Sequence, residues 1–294
     1  MGRRVVVPVW CGPVVAGVGR SRWTARWVGH DARVSLDVAT GRATTDAPDR
    51  ATLRSELLLV LALSLGASGV YAVLDLLRDL TTRVALADQT STVVGSRASN
   101  SYVDLGFQVA EVCLGVVPVL LVAHLLRRSG ESLGTLGVDG SEPRRDLGRG
   151  TAIAAVIGGC GLALYLGAHA LGINTTVAVT TLPPSWWRDP LLALHATQDA
   201  LVEEVVVLGY TLRRLDQLGW RPGRALAASA LLRGSYHLYQ GFGGFVGNAI
   251  MGVVFGLLLR RWKRVAPFVV AHSLIDIVAF VGYAELHGHV SWLP

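Results

Sequence analysis

Two adjacent glutamates, Glu203 and Glu204, sit inside an apolar stretch running from residue 191 to 210. Two later apolar stretches carry Tyr236 beside His237, and His272 four residues before Asp276. Carboxylates and imidazoles together can take a proton from water, pass it to a leaving group, stabilise an oxyanion or bind a divalent metal. In a membrane such groups are expensive. A single Asp at a helix centre costs about 2.5–3.5 kcal/mol, so a chain keeps these groups where they face a protein interior and meet partners. The pattern predicts one polar site inside an apolar helix bundle, with hydrolytic or proton-handling chemistry.

Helical geometry allows the groups to converge. Neighbouring residues on an α-helix are about 100° apart, so Glu203 and Glu204 can face one cavity. His195, Asp199 and Glu203 follow one another at intervals of four and share a face, as do His272 and Asp276. At about 1.5 Å per residue from the basic ends of their helices, Glu204 lies roughly 12 Å deep and His272 roughly 10 Å. On the same scale Asp276 lies roughly 16 Å deep and His237 roughly 20 Å. The groups can therefore occupy one layer. His195 and Asp199 are expected to be structural or water-bound.

The elements that must hold this site are membrane helices. The 294-residue chain is 51% hydrophobic and 16% charged, with mean hydropathy +0.46. Soluble domains carry about 25% charged residues, so a polytopic all-α bundle is expected. Seven spans are predicted, over 55–77, 105–126, 150–172, 190–212, 224–240, 244–260 and 265–284. The fifth is short enough to be a kinked hairpin. Gly241-Phe-Gly-Gly244 suits a tight turn or an access gate. Trp186 and Trp187 are expected as an interfacial anchor.

Basic residues sort by loop. Arg127, Arg128, Arg144, Arg145 and Arg149 share one, Arg213, Arg214, Arg221 and Arg224 a second, and Arg260, Arg261, Lys263 and Arg264 a third. The intervening loops hold only Arg78, Arg83, Arg97 and Arg188. The positive-inside rule then predicts a multi-pass cell-membrane protein with a cytoplasmic N-terminus. The net charge of +6 reads as this orientation signal and not as a nucleic-acid footprint. Three segments follow: an N-terminal tail over 1–49, expected to be disordered; the first two spans and a basic loop over 50–149; and the site-bearing core over 150–294. Cys11, Cys113 and Cys160 fit no metal spacing and are expected as buried free thiols.

The order Glu203-Glu204, then His237, then His272-Ser-Leu-Ile-Asp276 resembles the CPBP intramembrane proteases, the CAAX prenyl endopeptidase, bacteriocin-processing and abortive-infection relatives. The resemblance covers roughly 145–284. That family's motifs are Glu-Glu-x-x-x-Arg, Phe-x-x-x-His and His-x-x-x-Asn. Here Leu208 stands at the Arg position, Arg233 at the Phe position and Asp276 at the Asn position. The resemblance implies an intramembrane endopeptidase in which Glu203 and His237 activate water, Glu204 assists, and His272 and Asp276 stabilise the oxyanion. It implies a membrane-anchored or lipidated peptide as substrate. A divalent metal such as zinc, held by Glu203, His237 and His272, is one alternative for the mechanism. Arg233 is expected to replace the missing positive charge by pairing with Glu204 or Asp276. A catalytically silent scaffold or immunity protein and a proton-coupled transporter are the competing readings.

Overall fold

The structure, a computed structural model, describes the backbone of residues 5–9, 12–19, 22–26, 33–37, 42–45 and 48–290, and side chains from 48 to 290. The chain divides into two compact units, Met1–Leu53 and Arg54–Pro294. In the first, strands β1 (Val5–Val9), β2 (Gly12–Gly19), β3 (Arg22–Arg26), β4 (Arg33–Asp37) and β5 (Arg42–Thr45) pair antiparallel in sequence order. Within the segment 1–49, expected to be disordered, the described backbone is that of these five strands and of residues 48–49, and the side chains before residue 48 lie outside the description, as does Cys11.

The second unit is mostly helical. Its elements are α1 (Arg50–Ala62), α2 (Leu65–Thr81), α3 (Ser101–Gly115), α4 (Val117–Arg128), α5 (Pro143–Ala170), α6 (Arg188–Val202), α7 (Thr211–Gln217), α8 (Pro222–Ser235), α9 (Phe242–Trp262) and α10 (Ala266–Leu286). Between α6 and α7 the backbone continues as a π-helix, Glu203–Tyr210. Strands β6 (Thr90–Val94) and β7 (Thr176–Thr180) pair in parallel. The all-α expectation thus holds for the bundle and misses this sheet. Its segments, Thr-Ser-Thr-Val-Val and Thr-Val-Ala-Val-Thr, are rich in the β-branched residues that favour a pleated strand.

Among the described residues four helical stretches are long and apolar enough to cross a membrane: Ser101–Arg128, Pro143–Ala170, Phe242–Trp262 and Ala266–Leu286. A fifth is the pair α1 and α2, bent by 48° at Ser64. The predicted total of seven is not reached, for two physical reasons. The helix through Glu203 and Glu204 is diluted by its acids. Helix α8 has 14 residues, about 21 Å at 1.5 Å per residue, which falls short of a hydrocarbon core of about 30 Å.

Segments 50–149 and 150–294 share one core. Leu57, Val60, Val122 and Leu126 pack in the same buried cluster as Val205, Val206, Tyr210, Phe255 and Phe268. Helix α10 packs on α5 and α6, and α8 packs on α9. Gly252 and Gly256, one turn apart, permit the latter approach: a Cβ at Gly252 would lie 3.1 Å from the Ala230 Cα, and one at Gly256 would lie 2.2 Å from Leu226 Cδ1. The loop after α8 turns at Gly241, whose φ of 101° suits glycine. Cys113 and Cys160 are free but exposed, not buried as expected. They lie on outward flanks of α3 and α5, where lipid would cover a spanning helix. Trp186 is 78% exposed, as an interfacial anchor requires, whereas Trp187 is buried and its Nε1 donates to Ser101 Oγ.

The basic clusters do more than orient the chain. Arg214 is fully buried and pairs with Glu131 at 3.0 Å, donating also to Gln217 and Ser129. Arg264 bridges Asp146 at 2.6 Å and Asp139 at 2.9 Å.

Candidate functional site

The site is built from three helical segments. The π-helix carries Glu203 and Glu204, the C-terminal end of α8 carries Arg233, Tyr236 and His237, and α10 carries His272 and Asp276. A π-helix closes i→i+5 bonds, and such wider turns recur at functional sites. Here Thr211 Oγ1 donates to Val206 C=O, a five-residue reach. Helix α8 starts at Pro222, which suits a first turn whose N–H groups have no helical partner. It stops after Ser235, so Tyr236 and His237 leave the helix direction and turn toward Glu203. Helix α10 opens with Pro267 in its first turn, and the four-residue interval puts His272 and Asp276 on one face.

Arg233 is the centre of the arrangement. Its side chain is 1% exposed. Its Nη2 lies 2.7 Å from Glu204 Oε1, 3.3 Å from Glu203 Oε2 and 3.0 Å from His272 Nδ1. The guanidinium also stacks over Phe255, 5.4 Å from the ring centroid. Of the two partners expected for Arg233, the structure selects Glu204. Asp276 instead faces His272, with Oδ2 3.2 Å from Nε2. The other nitrogen of His272, Nδ1, lies 2.8 Å from Glu204 Oε1. His272 is therefore held between two carboxylates.

The Glu203–His237 side is different. Tyr236 OH donates to Glu203 Oε2 at 2.9 Å. Glu203 Oε1 faces His237 Nε2 at 3.9 Å, too far for a direct hydrogen bond. His237 Nδ1 lies 3.0 Å from the Arg233 backbone carbonyl, which can only accept, so the Nδ1 proton is fixed there. In the neutral ring Nε2 then presents its lone pair to the space beside Glu203 Oε1. One water with legs of about 2.8 Å would bridge the two atoms at an angle near 90°.

Glu203 also lines a cleft of about 430 Å³, together with Ser64, Ser68, Tyr71, Gln198 and Asp199, among others. The cleft exists because two helices break beside it, α1/α2 at Ser64 and α3/α4 at Val116. Asp199 therefore joins Glu203 at the cleft. His195 does not: its Nε2 lies 3.1 Å from Gln108 Oε1 in a separate buried polar cluster with Asp104. Tyr236 and Asp199 are the contributions that motif reading undervalued. The signal for Tyr236 was its place next to His237, and for Asp199 its four-residue interval from Glu203.

A metal held by Glu203, His237 and His272 does not fit these residues. Among the described residues no group of three His, Cys, Asp or Glu side chains is arranged to hold one. The physical obstacle is Arg233, whose cationic Nη2 already touches Glu203, Glu204 and His272, between the supposed ligands.

Residues 185–278, just under a third of the chain, match the family model for Rce1-like proteins, described as type II CAAX prenyl endopeptidase Rce1-like. The match spans Glu203, Glu204, Arg233, His237, His272 and Asp276, and it is consistent with the resemblance to CPBP proteases. The chain matches no curated protein and no solved structure.

Proposed function

We propose that the chain is an intramembrane endopeptidase that hydrolyses a membrane-held peptide with a water activated by Glu203 and His237, without a metal. The observation that carries this reading is the 3.9 Å separation of Glu203 Oε1 and His237 Nε2, with the His237 tautomer fixed by the Arg233 carbonyl and the cleft opening on Glu203. The water oxygen attacks the scissile carbonyl carbon while Glu203 takes its proton. The proton passes to the amide nitrogen as the C–N bond breaks, leaving a carboxylate and an amine. Tyr236 holds Glu203 by its second oxygen, so Oε1 stays aimed at the water. Arg233 neutralises Glu204 and fixes His272. His272 is the oxyanion contact implied by the resemblance, a role that requires its Nε2 to exchange Asp276 for the substrate oxygen, since Nδ1 is held by Glu204. The matched family's description supplies the substrate class to test first, a prenylated CAAX peptide.

The test uses purified protein in lipid nanodiscs with a farnesylated CAAX peptide and the same peptide unlipidated, read by mass spectrometry. Glu203→Gln should lower cleavage by about 10²- to 10⁴-fold, the usual share of a general base. Its fold should survive, because the amide oxygen of Gln still accepts from Tyr236. Equal cleavage by both proteins would remove Glu203 as the base, and cleavage by neither would remove the hydrolase reading and leave a binding scaffold.

A further inference from the structure

An unwound peptide is hard to accommodate in a membrane. A helical substrate hides its carbonyls in i→i+4 bonds, and once unwound its backbone needs new partners wherever water is scarce. In the helical unit, the outer edge of β6 is an exposed strand edge suited to supply them. Thr176 N–H donates to Gln89 C=O at 2.8 Å, and Thr176 pairs in register with Thr90. Thr176 and Ala178 thus direct their backbone groups into the β6–β7 ladder, while Thr90 and Thr92 direct theirs to the outer edge of β6. Both threonines are exposed, and among the described residues their outward amides meet no protein acceptor. The far edge of β7 is closed: Tyr165 OH accepts from Val177 N–H, and α10 packs against the strand.

The sheet is tied to the segment that carries His237. Ser91 Oγ lies 2.9 Å from Thr175 Oγ1. Thr175 N–H donates to Gln240 C=O at 3.1 Å, and Gln240 N–H donates to His237 C=O. Asn174 bridges to Gly241 and accepts from Gly243 N–H at 2.8 Å. Three hydrogen-bonded steps of roughly 5 Å each put the edge within about 15 Å of His237, the span of about five extended residues. Exposed Trp186 marks this end of the bundle as interfacial.

We propose that the outer edge of β6 is a substrate-docking strand: the unwound backbone of the membrane peptide adds to Thr90–Thr92 as a third strand and so reaches the Glu203–His237 water in extended form. This rests on the endopeptidase reading. Recognition of this kind uses the main chain for affinity and is tolerant of sequence.

The test uses the Glu203→Gln protein in nanodiscs and a synthetic single-span peptide of about 25 residues, an Ala/Leu span followed by a Thr/Ser/Val stretch. The stretch is N-methylated one amide at a time, and the affinity is measured by fluorescence. Strand addition predicts a period of two: alternate methyl groups weaken binding about tenfold and those between them do nothing. Thr92→Pro should weaken the unmethylated peptide similarly, because it removes an outward N–H and no ladder bond, while Thr92→Val should change binding less than twofold. Uniform sensitivity, no sensitivity or no binding would overturn the proposal. The wild-type protein is assayed for cleavage of the same peptide. Cleavage without the period of two removes only the docking strand. The period of two without cleavage removes only the hydrolase.

Discussion

Replacing Arg233 by Leu removes the guanidinium from a buried cluster containing Glu203 and Glu204. At an effective dielectric of about 20, unit charges at the observed 2.7 and 3.3 Å attract by about 6 and 5 kcal/mol before any desolvation is subtracted. Desolvation of the buried ions offsets most of that, and breaking one partner of a buried pair costs about 3–5 kcal/mol in practice. The larger part of this cost is Glu204 left charged at 0% exposure. Scaling for a domain of this size gives a Tm fall of about 10 °C. The assay is thermal unfolding in one fixed detergent for four proteins: wild type, Arg233→Leu, Glu204→Gln, and the double variant. Because the double variant removes the stranded charge, it should recover more than half of what Arg233→Leu loses, a coupling of at least about 2 kcal/mol. Adding Leu208→Arg to Arg233→Leu should also recover part of it. Losses that simply add, or an Arg233→Leu protein as stable as wild type, would refute the idea that Arg233 exists to neutralise Glu204.

Other outcomes follow from the same geometry. Tyr236→Phe deletes a hydrogen bond to a carboxylate and should lower kcat by roughly ten- to a hundredfold with little change in Tm, measured with the nanodisc peptidase assay. Gly252→Ala would place a Cβ 3.2 Å from Arg233 Cδ and 3.1 Å from the Ala230 Cα, so it should destabilise by about 1–3 kcal/mol; unaltered unfolding would show that α8 and α9 separate freely. Outside the membrane, Asp139 is held at about 2 by the Ser141 hydroxyl and N–H and then by Arg264. A lowered folded pKa contributes stability above the unfolded value near 4 and loses it as pH falls from about 4 through 2. The protection of loop 129–142 against hydrogen exchange, relative to the intrinsic rate at each pH, should therefore fall over that window, and Asp139→Asn should show low protection at every pH. A loop whose protection ignores pH between 5 and 2 would sink this latch.

Much of the site was legible before any coordinates. Acids inside apolar helices are too costly to be incidental, so Glu203, Glu204, His237, His272 and Asp276 could be grouped by cost and spacing alone. Four-residue intervals gave the right face for His272 and Asp276, because helix periodicity is local. The same rule puts His195 on a face with Asp199, yet His195, expected to be structural or water-bound, bonds Gln108 on α3, while Asp199 lines the cleft. Helix periodicity says which residues align, not which neighbouring helix they meet. The π-helix at Glu203–Tyr210 was also hidden, since no local signal marks a helix that widens to fit its packing. Strands β6 and β7 lie 86 residues apart in register and were read as loops, because parallel pairing is a long-range choice.

The sequence by itself determined that this is a membrane helix bundle with a polar interior, and which residue types that interior holds. It also limited the positive charge near the acids to Arg233, since no other basic residue falls within the apolar stretches at that depth. Only the tertiary structure decided how the charges pair. Arg233 could reach Glu204 or Asp276 on one-dimensional reasoning, and the crossing of α8 with α10 and the π-helix chose Glu204, leaving Asp276 to His272. That choice also leaves no room for a metal among Glu203, His237 and His272, and turns His237 Nε2 toward Glu203 Oε1. The reason is physical: apolar content and periodicity are properties of single segments, whereas a distance of a few ångströms between charges is set by how three segments pack.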